Sequence, residues 1–147
     1  MKKVKLITDG ACKGNPGRGG WACILRYNQH KRELYGCDPH TTNNRMELTA
    51  AIEGLRALKE PCEVEIVTDS EYVKNGITTW IHNWKRRNWQ TVNKKPVVNQ
   101  DLWQELDELA ARHRTTWVWT RGHASHDDNN RADELASKAA AGQLSCR

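Results

Sequence analysis

No stretch of this 147-residue chain reaches the length of a membrane-spanning run, and its longest apolar segments are strand-length. The start, Met1-Lys2-Lys3-Val4-Lys5, is basic like a secretory signal, but the apolar stretch that should follow ends at Asp9. No membrane partner is expected, and the expected location is cytoplasmic. The five cysteines (Cys12, Cys23, Cys37, Cys62 and Cys146) contain no C-x-x-C pair. Their odd number argues against a disulfide framework and against a cysteine zinc site, so they read as small buried or turn residues in a reducing compartment. Internal repeats, linkers and low-complexity tracts are also missing. One domain over residues 1–147 with a single sizeable core is expected.

A local absence says more. Between Tyr72 and Gln100 there is no acidic residue, while Lys74, Lys85, Arg86, Arg87, Lys94 and Lys95 fall there. The net charge of +5 is therefore concentrated in this one segment, and the rest of the chain is close to neutral. A localised basic patch is the footprint of a polyanion partner. Ile77, Trp80, Ile81 and Trp84 recur there at helical spacing, ahead of Lys85-Arg86-Arg87 and Trp89. The bland alternative is an amphipathic helix with a solvated charge run. The interleaved tryptophans favour a backbone-binding surface, with Trp80 the ring for stacking or sugar contact and Trp84 a core residue.

Hydrophobic patterning gives a mixed sheet with helices packed on it. Val4 to Thr8, Trp21 to Tyr27, Arg32 to Gly36, Glu63 to Thr68 and Thr115 to Thr120 read as strands. Gly10 to Gly20 holds five glycines and reads as a turn-rich loop, and Asn28-Gln29-His30 suits a hairpin. Helices are predicted over Thr42 to Leu58, after Ser70, from about Thr78 to Arg86, over Asp101 to His113 and over Asn130 to Ala141. The fourth strand follows a helix and so should join the sheet parallel to a neighbour.

Two strands end alike, Leu6-Ile7-Thr8-Asp9-Gly10 and Ile66-Val67-Thr68-Asp69-Ser70. An aspartate before Gly or Ser is ordinary turn or cap chemistry. Two of them on neighbouring strands, however, would repel unless a cation lay between them. Glu47 and Asp133 are expected in the first turns of their helices, where Asn44-x-x-Glu47 and Asn130-x-x-Asp133 look like capping boxes. Yet Glu47 shares a side with Ala50, Ala51 and Gly54, and Asp133 with Ala136 and Ala140, so both face close packing. A carboxylate on a packed face is costly without compensation, and four such groups suit one or two Mg²⁺ ions. The glycine-rich segment contains neither G-x-x-x-x-G-K-[ST] nor a proper G-x-G-x-x-G, so a nucleotide cradle is a weak reading.

Four segments together resemble type 1 ribonuclease H of the bacterial kind. They are Ile7-Thr-Asp-Gly-Ala-Cys-Lys-Gly-Asn-Pro-Gly17, Thr41-Thr-Asn-Asn-Arg-Met-Glu-Leu48, Val67-Thr-Asp-Ser70 and Gly122-His…Asn130-Arg-Ala-Asp-Glu-Leu-Ala136. The likeness runs in order from about residue 3 to residue 141. It implies an α/β, ribonuclease H-like fold: a five-stranded mixed sheet flanked by helices, the first three strands antiparallel and the last two parallel to the first. It also implies a basic protrusion at about 77–99 within the domain.

The implied activity is endonucleolytic hydrolysis of the RNA strand of an RNA–DNA hybrid, leaving 5′-phosphate and 3′-hydroxyl ends, by a monomer. Asp9, Glu47, Asp69 and Asp133 match the family's metal-binding carboxylates. Two Mg²⁺ ions are implied, with Mn²⁺ a substitute and Asp9 the bridge. His123 matches the family's loop histidine, for proton transfer or product release. Asn15, Asn43 and Asn44 resemble residues that reach the minor groove, where 2′-hydroxyls distinguish RNA from DNA, and Cys12 lies among them. Thr42 and Asn99 match positions that hold a DNA-strand phosphate. Trp80, Lys85, Arg86 and Arg87 belong to the protrusion. Two positions depart from the pattern: His40 stands where arginine is frequent beside the phosphate pocket, and Glu71 where glutamine is common beside the metal site. Two rivals remain: a catalytically silent hybrid-binding module, and a DNA-processing enzyme of the same fold class. The retained carboxylates argue against the first, and the short chain against the second.

Overall fold

A computed structural model describes residues 1–120 and 127–146. Strands β1 (Lys2–Lys13), β2 (Gly17–Tyr27) and β3 (His30–Thr41) form an antiparallel meander. Helix α1 (Asn43–Arg56) then crosses to β4 (Cys62–Thr68), which pairs parallel to β1. The chain continues through α2 (Glu71–Asn75), a π-helical turn (Gly76–Trp80) and α3 (Ile81–Arg86) into α4 (Gln100–Ala111). Strand β5 (Arg114–Trp119) pairs parallel to β4, and α5 spans Asp127–Ala140. The sheet order is β3-β2-β1-β4-β5, with the first three strands antiparallel and the last two parallel to the first, the strand senses that the resemblance implied. Among the described residues, no helix is long and apolar enough to cross a membrane.

The sheet is covered on both faces, and strand alternation decides which residue serves which layer. Leu6, Cys23, Leu25, Val64 and Ile66 join Leu48, Ile52 and Leu55 of α1 and Trp103 and Leu106 of α4 in the larger core. Ile7, Ala22, Ile24 and Val67 face the other way, against Ala132, Leu135 and Ala136 of α5. Leu48, Ala51, Ile52 and Leu55, which recur at helical spacing, form the stripe that α1 buries. Trp84 packs partly buried against the larger core, as expected.

The Gly10–Gly20 stretch differs from the turn-rich loop expected. Most of it is strand, with Gly10 opposite Trp21, Ala11 opposite Gly20 and Cys12 opposite Gly19. The glycines serve packing. A Cβ on Gly10 would lie 2.5 Å from the Glu47 backbone nitrogen, and one on Gly20 2.5 Å from the Ala136 carbonyl oxygen. Each therefore lets a helix sit directly on the sheet, α1 on one face and α5 on the other.

The cysteine expectation is also corrected, since Cys37 and Cys146 form a disulfide with Cα atoms 5.8 Å apart. Helix α5 runs back over β2 and β3 and delivers the C-terminal segment beside β3. A pairing across 109 residues leaves no mark in local spacing. Cys12, Cys23 and Cys62 remain thiols.

Closing so long a loop should restrict the unfolded chain and contribute about 2–4 kcal/mol. Oxidised protein is expected to melt several degrees above the Cys146→Ser variant or the reduced form. Identical melting temperatures would show that the bond contributes nothing.

Candidate active site

The sixty-residue repeat of the two Asp-terminated runs is the register of the parallel pair itself: Leu6 lies opposite Ile66 and Ile7 opposite Val67. The paired rungs stop there. Thr8 Oγ1 still donates to the Val67 carbonyl at 3.2 Å, and Asp9 and Asp69 follow where the two strands part. Asp9 is not at the end of its own strand, because β1 continues to Lys13 with Asp9 opposite Ala22. What ends at Asp9 is only its pairing with β4.

Glu47 arrives from α1. That helix is capped by Thr42, whose hydroxyl accepts from the Arg45 N–H at 3.2 Å. The Asn44-x-x-Glu47 capping box is thus not formed, and Glu47 lies two residues deeper, past the first turn expected for it. Asp133 likewise sits beyond the first turn, since α5 already runs from Asp127 and Asn130 caps nothing. Deeper placement brings both carboxylates over the sheet, while Glu134 stays exposed with Lys138 Nζ 3.8 Å away.

Carboxylate oxygens of Asp9, Glu47 and Asp69 approach within 4.8 Å of one another. Asp9 and Glu47 are each only 5 % exposed. One oxygen of Asp9 accepts from the Gly10 N–H at 2.9 Å. Its other oxygen, Oδ2, and Glu47 Oε1 are buried without a hydrogen-bond partner among the described residues. Burial, then the negative charges of Asp69 and Asp133, pushes the Asp9 carboxyl up to about 8. Burial and the facing Asp9 and Asp69 raise Glu47 well above the usual carboxylate range. Asp133 thus reaches the site electrostatically, outside the tight triad. Two orphaned, converging carboxylate oxygens are what a hard divalent cation requires, so the residues fit a metal.

A family model described as RNase H matches residues 1–141. The chain belongs to the RNase H family. It is similar to a Ribonuclease H of Solibacter usitatus, 71 % identical over 95 % of this chain and 96 % of that one. It is also similar to a Ribonuclease HI of Neisseria meningitidis serogroup B, 60 % identical over 94 % of this chain and 95 % of the relative. Among solved structures, LC9-RNase H1, described as a type 1 RNase H with the type 2 active-site motif, superposes with a TM-score of 0.87. Its sequence is 34 % identical, and the match covers 98 % of this chain and 74 % of that one. RNase H enzymes are metal-dependent, and the acidic cluster is the place in this member that could hold the metal.

The other expected site residues are spread over β1 and the β1–β2 turn, the end of β3, the start of α1, α2 and the segment leading into α4. Asn15, in the β1–β2 turn, accepts from the Asn43 N–H at 3.0 Å, tying that turn to the start of α1. The Cys12 thiol donates to the Thr41 carbonyl at 3.4 Å, and Asn44 is exposed. His40 is exposed, its N–H donating to Asp38 Oδ1 at 3.0 Å. Glu71 is exposed at the first residue of α2. Trp80 is 37 % exposed, and Arg86 and Arg87 are exposed. Lys85 is engaged with Asp107 at 2.8 Å, which lessens its availability. His123 lies outside the described residues.

Arg45 carries no separate signal in the sequence beyond its place in the Thr41–Leu48 segment. Its guanidinium bridges Asn99 Oδ1 at 3.1 Å and both oxygens of Asp101 at 3.0 and 2.7 Å, locking α1 to the start of α4. Nothing in local spacing signals a contact across 54 residues.

The raised Asp9 value has a sign consequence for the metal-free protein. An acid held above its unfolded value of 3.8 disfavours the fold once ionised. The penalty is absent below that value, grows as pH rises and is complete above about 8. Asp9→Asn should therefore raise the melting temperature of metal-free protein at pH 8 by roughly 2–4 °C for each kcal/mol relieved. The gain should fade toward pH 4, and a pH-independent difference between the two melting curves would contradict it.

Proposed function

We propose that this chain is a metal-dependent endonuclease that hydrolyses the RNA strand of RNA–DNA hybrids, leaving 5′-phosphate and 3′-hydroxyl ends. The carrying observation is the pair of buried carboxylate oxygens on Asp9 and Glu47 that lack partners beside Asp69, in a member of the RNase H family. Asp9, Glu47, Asp69 and Asp133 would hold two Mg²⁺ ions, with Mn²⁺ a substitute and Asp9 the bridge. When bound, such ions supply the charge that activates the attacking water and stabilises the leaving oxygen.

The chain's own residues do the rest. The four carboxylates would hold that charge in place beside the substrate backbone. His123 is the candidate for moving a proton or easing product release. Asn15, Asn43 and Asn44, with Cys12 beside them, read the minor groove, where 2′-hydroxyls mark the RNA strand. Thr42 and Asn99 take a DNA-strand phosphate, with His40 nearby, and Glu71 meets the groove beside the metal site. The protrusion at about 77–99 grips the backbone through Trp80, Lys85, Arg86 and Arg87. Since Lys85 is partly neutralised by Asp107, Arg86 and Arg87 carry most of that electrostatic contact.

We further propose that one domain over residues 1–147 acts as a monomer in the cytoplasm. Three of the five cysteines remain thiols, which suits a reducing compartment, where the Cys37–Cys146 bond would open.

Purified protein should cleave only the RNA strand of a hybrid, leave RNA and DNA duplexes intact, and lose activity on chelation. Asp9→Asn should abolish that cleavage while preserving hybrid binding. Full activity in that variant would overturn the assignment of the carboxylates. Replacing Arg86 and Arg87 with Ala should raise KM and flatten its salt dependence by about 1–2 in log–log slope. An unchanged slope would mean that the patch faces away from the substrate.

A further inference from the structure

Tyr72 is the second residue of α2, half-buried, and it belonged to no expected site. Its hydroxyl oxygen accepts two hydrogen bonds, from Asn99 Nδ2 at 3.1 Å and from Trp103 Nε1 at 3.0 Å. Neither neighbour can take a proton back. An indole nitrogen only donates, and Trp103 is fully buried with no freedom to turn. The Asn99 amide is held in one orientation because its oxygen accepts from Arg45, and a guanidinium has no acceptor to offer a flipped amide. Asn99 itself is in the left-handed backbone region, φ 60°, at the start of α4.

With its oxygen occupied by two donors, the Tyr72 hydroxyl has only its proton left to use. No acceptor for that proton occurs among the described residues. Immediately beside it stands the exposed ring of Trp80, edge-on at 5.8 Å between centroids. The Asn99 amino group, with two hydrogens and one committed to Tyr72, also has a donor to spare. The Asp101 carboxylate, which begins α4 beside Asn99, is engaged through both oxygens by Arg45. The juxtaposition is therefore two fixed donors with no competing acceptor.

We infer that Tyr72 is a specificity-determining residue that donates its hydroxyl proton to a non-bridging oxygen of the same DNA-strand phosphate that Asn99 holds. This rests on the proposed hybrid-cleaving function. An acceptor-only ligand is the partner that such a donor pair selects. A phosphodiester satisfies this, whereas a hydroxyl or amide ligand would waste one of its own donors. Trp103 and Arg45 are positioning residues: each removes one alternative hydrogen-bonding arrangement.

The test is a KM series for wild type and Tyr72→Phe on hybrids carrying a single neutral methylphosphonate at successive positions of the DNA strand. Tyr72→Phe is expected to raise KM about tenfold on unmodified hybrid, with kcat within twofold. At one position the methylphosphonate should raise the wild-type KM, and there Tyr72→Phe should add nothing further. A merely structural defect would instead raise KM equally at every position, which would overturn the proposal, as would an unchanged KM. If wild type fails to cleave unmodified hybrid, the proposed function falls, and that result is visible independently.

Loss of the hydroxyl also leaves two N–H groups unpaired, so a second variant guards against poor folding. Incorporating 3,5-difluorotyrosine at position 72 keeps shape and acceptors but yields a phenol that ionises near neutrality. Its KM should climb with pH relative to wild type as the proton is lost. A parallel pH profile for the two proteins would refute the donor role.

Discussion

Two buried carboxylates, those of Asp9 and Glu47, each with one oxygen that lacks a hydrogen-bond partner among the described residues, set the terms for the rest of this fold. Bringing negative charge together away from water is unfavourable, and only a rigid frame can hold it in readiness for a cation. The frame here is the sheet, and the enabling detail is the absence of side chains at two points. Gly10 admits α1 and Gly20 admits α5 at backbone contact on opposite faces. The parallel register of β1 and β4 then brings Asp69 to the same place. Larger residues at either glycine would push a helix outward and separate the carboxylates.

Polar contacts organise the neighbouring groove with comparable economy. The β1–β2 turn is tied to α1 through Asn15, and α1 to α4 through Arg45. Tyr72 joins α2 to both Asn99 and Trp103. Elements far apart in the chain thus share one set of hydrogen bonds, each consuming an acceptor and leaving donors outward. Behind them Trp84 packs against Trp80, Trp89 and Trp103, which carries the basic segment on an aromatic support.

Much of this was legible in advance. The helix ahead of the fourth strand gave away a parallel pairing, and the offset between the two Asp-terminated runs proved to be its register. The apolar stripe of α1 marked its buried face, and the small residues around Glu47 marked it as a packed carboxylate, whereas Asp133, read the same way, is only half-buried. The glycine-rich segment misled, since glycine that relieves packing and glycine that makes turns are the same letter. The capping boxes misled for a related reason: Asn44 and Asn130 have the right spacing, but Thr42 takes the first cap and α5 is already running at Asp127. The Cys37–Cys146 bond and the Arg45 and Tyr72 contacts left no trace, since each joins residues far apart along the chain.

The sequence by itself determined the strands and helices, the acidic set and the concentration of positive charge, because periodicity, spacing and composition are local properties. It also carried the family resemblance, since four motifs in register are a linear signal. Only the tertiary structure decided how deep Glu47 and Asp133 sit, which carboxylate oxygens go unpartnered, and that the Tyr72 hydroxyl is left with a proton to give. Those outcomes depend on which backbones touch and which donors meet which acceptors, and such encounters exist only once the chain has closed on itself.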